Sequence, residues 1–142
     1  AAAVAAFGAG NGAGKIVMGM VSDRLGGVRA YQLATGIAAT SIVALGLADG
    51  SSGVLAAATV FGFGLGGATP QLTTVGVSLF GLRAVGALMG VLLALMGLIG
   101  AGGPLVSGWI FDRYDTYVPA YLLGGVVFSV SIALASTLRL PR

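Results

Sequence analysis

Lys15 stands alone as a charge set deep in an apolar run, Ala1 to about Val21. An ammonium inside a membrane segment costs at least a few kcal/mol, so a role in binding is the first expectation for it. On a helical period Gly8, Asn11, Gly12, Lys15, Gly19 and Ser22 share one side, while Val4, Phe7, Val17 and Met20 mostly lie elsewhere. Such a stripe should face protein or a water-filled cavity rather than lipid. Two structural roles compete with substrate or ion contact: snorkelling to headgroups, with Asp23 about 12 Å along the helix, or pairing with a carboxylate outside this sequence. Thr69, Gln71 and Thr73 are candidate polar neighbours, Gln71 being off the threonine stripe. Asp23, Asp49, Asp112 and Asp115 all fall at the ends of apolar runs, so no proton relay is visible. Ser41, Ser78 and Ser129 have no His or Glu to activate them, and there is no Cys. We therefore expect no enzyme chemistry, no metal and no cofactor.

The elements that must position these residues follow from composition. Of 142 residues, 57% are hydrophobic and 8% charged, against about 25% charged in soluble domains. Eleven charges (seven basic, four acidic) cannot coat a water-facing surface of this size. Five apolar runs, about 1–21, 30–48, 53–80, 84–111 and 117–138, predict five transmembrane helices in a single domain over 1–142. The runs lack the alternation of a membrane barrel. Basic residues set direction: Arg24, Arg29, Arg83, Arg139 and Arg142 lie on one side and Arg113 on the other. This predicts an outside N-terminal end and a cytoplasmic C-terminus in a plasma membrane, the bacterial inner membrane being expected. Trp109, Tyr114, Tyr117 and Tyr121 cluster at the Asp112–Asp115 turn as an interfacial belt. The net charge of +3 reads as topology, not nucleic-acid binding.

Small residues form two further stripes. In the fourth run Gly86, Gly90, Ala94, Gly97, Ala101, Pro104 and Gly108 recur at steps of three and four, the pattern of a helix-packing seam. In the third, Thr59, Gly62, Gly66, Thr69 and Thr73 do the same. Pro70 crowds the carbonyl of Gly66, which predicts a kink. Gly66, Pro70, Gly90, Gly97 and Pro104 are accordingly expected to serve packing or hinge motion.

The string Gly19-Met-Val-Ser-Asp23-Arg24-Leu-Gly26-Gly-Val-Arg29 resembles the cytoplasmic loop signature of the major facilitator superfamily, Gly-x-x-x-Asp-(Arg/Lys)-x-Gly followed by basic residues. Gly27 and Val28 stand where that family often has basic residues, and Arg29 follows them. The order of spans is similar to helices eight to twelve, most of the C-terminal half, and the resemblance covers nearly the whole chain. It implies that the chain is a fragment whose N-terminal helices are missing. It also implies that Asp23 and Arg24, with Arg29, form a charge cluster steadying the outward-facing state. Gly103-Pro104-Leu-Val-Ser-Gly108-Trp-Ile-Phe-Asp112 looks like helix eleven of the monocarboxylate and oxalate–formate branches. Members often carry a basic residue four positions before the signature glycine, where it meets the substrate carboxylate; Lys15 holds that place before Gly19. Proton-coupled animal members have an Asp one turn earlier, where this chain has Asn11.

The resulting expectation is an all-α membrane bundle acting in secondary transport, as symporter or antiporter, of a small monocarboxylate-like anion by alternating access. Its partners would be that anion, the lipid bilayer and the missing helices. A drug or neutral-solute exporter is the rival, and a non-transporting truncated membrane protein is a second.

Overall fold

The computed structural model describes residues 1–137, with the side chains of Ala84 and Val85 set aside. The expected span end at Leu138 and the basic Arg139 and Arg142 lie outside the described residues. Lipid offers no hydrogen bonds, so each segment must satisfy its own backbone. The described residues accordingly form helices and no strands. These are α1 (Ala2–Leu25), α2 (Gly27–Gly46), α3 (Gly50–Arg83), α4 (Gly86–Tyr114) and α5 (Val118–Thr137). Helices α2 to α5 are long and apolar enough to cross a membrane. At 24 residues α1 is also long enough, but Asn11, Lys15, Asp23, Arg24 and its glycines dilute its hydropathy.

The turns are tighter than the charge pattern suggested. Ser22–Arg29 reads as a loop, yet α1 continues through Asp23 and Arg24, and Gly26 alone separates it from α2. Gly26 has φ 87 and ψ 154, a conformation open essentially to glycine. Its N–H donates to the Ser22 carbonyl at 2.8 Å, closing the helix. Arg24 in the last turn meets the negative end of the helix dipole. The charges therefore mark where the helix meets water, not where it stops. Near its end α3 leaves helical φ/ψ at Gly81 (φ 74, ψ 169), two residues before Arg83. Pro70 and Pro104 both sit inside helix, and Gly81 is the residue that leaves helical φ/ψ in this stretch. Pro70 keeps helical φ/ψ, and the chain leaves them eleven residues later at Gly81. Pro70 still withholds an N–H from the Gly66 carbonyl.

Packing centres on α3. Helices α1 and α3 run in the same direction with backbones in direct contact. A Cβ on Gly10 would strike the Thr59 carbonyl, one on Gly14 the Phe63 carbonyl, one on Gly62 the Phe7 carbonyl and one on Gly66 the Asn11 carbonyl. The seam is two glycine pairs, each four residues apart, facing one another. Helix α2 runs antiparallel to α3, with Ala34 and Ala38 against Gly64 and Gly67 and with Gly27 beside Thr74. Ala30, Ala34 and Ala38 are fully buried there. Helix α5 lies antiparallel on α2: Gly46 meets Tyr121, Gly125 meets Val43, and the Tyr31 and Ser131 hydroxyls bond at 2.7 Å.

Helix α4 departs from its expected role. A Cβ on Gly86, Gly90, Gly97 or Gly108 would meet nothing within 4 Å, and Pro104 is exposed. Among the described residues no helix lies against the small-residue stripe of α4; the close seam is the one between α1 and α3. At its start α4 touches α3 through Thr73 Oγ1 and Met89 Sδ, 3.6 Å apart. At its end Phe111 stacks on Tyr117, ring centroids 4.5 Å apart, within the aromatic cluster of the Asp112–Asp115 turn.

The antiparallel order gathers Asp23, Arg24, Arg29 and Arg83 at one end of the bundle and Asp49, Asp112, Arg113 and Asp115 at the other. Two substitutions test this architecture. Gly66→Val drives a side chain into the Asn11 backbone and should destabilise by on the order of 1–3 kcal/mol, whereas Gly97→Ala, in open space, should leave thermal unfolding in detergent unchanged. Gly81→Ala forces a glycine-only conformation on alanine and should cost about 1–3 kcal/mol, read as a lowered Tm with helix content preserved.

Candidate functional site

The α1–α3 seam fixes which polar side chains can meet. The Asn11 backbone lies on Gly66, so the two parallel helices are in register at that point. One turn on, α1 presents Lys15; α3 presents Thr69 three residues after Gly66 and Thr73 seven after. By helical periodicity Asn11 and Lys15 lie on the same edge of the seam as Thr69 and Thr73, away from α2. Lys15, Thr69 and Thr73 are exposed and Asn11 is half-buried. Lys15 stands about 15 Å from the α1 C-terminus by helical rise, near the middle of the helix.

The packed side of α1 is not the stripe read from the sequence. Gly10, Gly14 and Met18 are its buried residues, while a Cβ on Gly8, Gly12 or Gly19 would meet open space. The face that carries Lys15 is therefore unoccupied by the described residues.

Hydroxyl chemistry separates the two threonines. Thr69 Oγ1 donates to the Leu65 carbonyl at 2.8 Å. Its proton is committed, and it offers an anion only lone pairs until its rotamer changes. Thr73 Oγ1 donates to the Met89 sulfur. A thioether is a weak acceptor, so this proton is readily redirected to a carboxylate oxygen.

Gln71 lies apart from this edge. It is 1% exposed, and its Nε2 donates to the Met18 carbonyl at 3.2 Å. A residue two positions from Thr69 and Thr73 on a helix points about 160° away from each of them, which turns Gln71 into the α1–α2–α3 interior. There it ties α3 to α1 and leaves its Oε1 without a partner. The sequence signal for this was present: Gln71 is off the threonine stripe.

Among the conformational candidates, Asp23, Arg24 and Arg29 are exposed at the α1–α2 turn. Gly66 is part of the close seam, and Pro70 follows it by one turn. Gly90, Gly97 and Pro104 lie on the open face of α4. Sequence reasoning missed Gly10, Gly14 and Gly81, because with 26 glycines in the chain the pattern alone does not say which ones a neighbour needs bare.

No curated protein and no solved structure matches the chain. The family model for the Major Facilitator Superfamily matches residues 1–142, the whole length, and agrees with a bundle whose helices span a membrane. The chain thus belongs to the major facilitator superfamily, a multi-pass membrane transporter family.

Proposed function

We propose that this chain supplies part of the C-terminal half of a secondary transporter that moves a small organic anion, monocarboxylate-like, by alternating access. Lys15 supplies the positive charge for the anionic group. Asn11 and Thr73 lie on the same edge and can each donate a hydrogen bond to it, and Thr69 borders the site. Gln71 acts one step back, holding α1 against α3 so that Lys15 and Thr73 keep their register. Asp23, Arg24 and Arg29, at the α1–α2 turn, form the charge cluster that steadies one of the two transport states.

The observation that carries this reading is the position of Lys15: a mid-helix ammonium, exposed, on an edge otherwise lined by neutral donors. The four carboxylates of the chain lie at helix ends, distant from it along the sequence. A cation so placed favours a negative solute over a neutral one. The Arg-rich end of the bundle is taken as cytoplasmic on the same charge argument that orients other membrane proteins.

In proteoliposomes holding the full transporter, Lys15→Ala should weaken carboxylate uptake by about 10- to 100-fold, the worth of a charged hydrogen bond. Lys15→Arg should recover part of it, and neither change should alter insertion. Unchanged uptake kinetics in Lys15→Ala would remove the binding role. Failure of short carboxylates to compete with the transported solute would favour a neutral or hydrophobic cargo.

A further inference from the structure

A cavity lies on the opposite side of α3 from Lys15. It holds about 250 Å³ among α2, α3 and α5 and is walled by Leu72, Val75 and Leu134, with the Tyr31–Ser131 hydroxyl pair on its side. It adjoins a more polar groove at the Arg-rich end of the bundle, Val28 and Ala135 lining both. Arg29, Gln32 and Ser136 form that groove, and no carboxylate lines either space.

We infer that this cavity and groove bind one anionic phospholipid, its acyl chain in the apolar cavity and its phosphate at Arg29. The chemistry is graded in the right order for such a molecule. The inner part is aliphatic. The middle carries two hydroxyls that share one hydrogen bond, so one of their two protons is free for an ester carbonyl. The mouth carries an exposed guanidinium, whose planar fork suits a phosphate.

Charge complementarity selects the headgroup. Among the described residues, three arginines (Arg24, Arg29, Arg83) stand at this end against one aspartate (Asp23); at the far end three aspartates (Asp49, Asp112, Asp115) stand against one arginine (Arg113). A net positive rim beside an apolar cleft between helices is the pattern that holds anionic lipid. The cavity at the other end of α5, between α4 and α5, is lined by apolar and small residues with Ser107 as its one polar side chain and no cation, so it lacks the means to choose a headgroup. The inference is independent of what binds at Lys15.

The test uses the chain in phosphatidylcholine membranes with trace phosphatidylglycerol or phosphatidylcholine carrying a photoreactive diazirine in the acyl chain. Crosslinks are mapped by peptide. Phosphatidylglycerol should label peptides containing Tyr31 and Leu134 about fivefold more than phosphatidylcholine does, the effect of one arginine near the surface. Arg29→Gln should abolish that preference, Arg29→Lys should restore most of it, and Arg113→Gln should leave it intact. Circular dichroism of each variant confirms equal helix content. Labelling spread evenly over all lipid-facing helices would overturn the inference. A preference that survives Arg29→Gln would do so as well. Complete loss of the preference on adding inorganic phosphate would assign the groove to a free anion instead.

Discussion

The absence of side chains at Gly10, Gly14, Gly62 and Gly66 is the constraint on which the rest of this bundle depends. Between membrane helices there is no hydrophobic gain from leaving lipid, because lipid tails are as apolar as leucine. What draws α1 to α3 is dispersion and polar contact at short range, and range is set by how bare the backbones are. Each of the four glycines has a carbonyl of the other helix where its Cβ would stand. The seam leaves little freedom to slide, since a one-residue shift would put Phe63, Ala13 or Asn11 side chains where only hydrogen fits.

That fixed register is what makes a site out of scattered polar residues. Lys15 and Asn11 come from one helix, Thr69 and Thr73 from another some fifty residues on, and it is the contact of Asn11 with Gly66 that brings their edges together. Gln71 supports the same register from the interior, donating to the Met18 carbonyl. Its unpaired Oε1 and that of Thr35 Oγ1 are the two buried polar side-chain atoms left unsatisfied among the described residues. Gln71 is turned inward from α3 and Thr35 is buried on α2, so the bundle holds polar groups on its inner side as well as on its open edge.

The helices themselves were legible in the hydropathy, because runs of about twenty apolar residues have few other outcomes in lipid. The turns were legible only in part. Arg83 correctly marked a break nearby, yet the residue that leaves helical φ/ψ is Gly81, identified by a backbone angle that no composition displays. Asp23 and Arg24 looked like loop and are helix, since a charge is satisfied by reaching water from a helix end just as well as from a loop. The stripes of α1 and α4 were ambiguous for a different reason. Periodicity says that small residues share a face; it does not say whether a neighbour occupies that face. For Gly10 and Gly14 one does, and for Gly90 and Gly97 none among the described residues does. The candidate site was readable as a list of polar residues, and the offset of Gln71 from the threonine stripe was readable too, but its bond to the Met18 carbonyl needed the packing of α1 on α3.

The central claim is that the Lys15 edge of α1 faces water inside the membrane while its neighbour faces lipid. The chain has no cysteine, so single cysteines can report this directly. In native membranes, Lys15→Cys should react quickly with a membrane-impermeant thiol reagent, while Ile16→Cys, one residue and about 100° further round the helix, should stay unreacted. Equal reaction at both positions, or none at Lys15→Cys from either side of the membrane, would contradict the account.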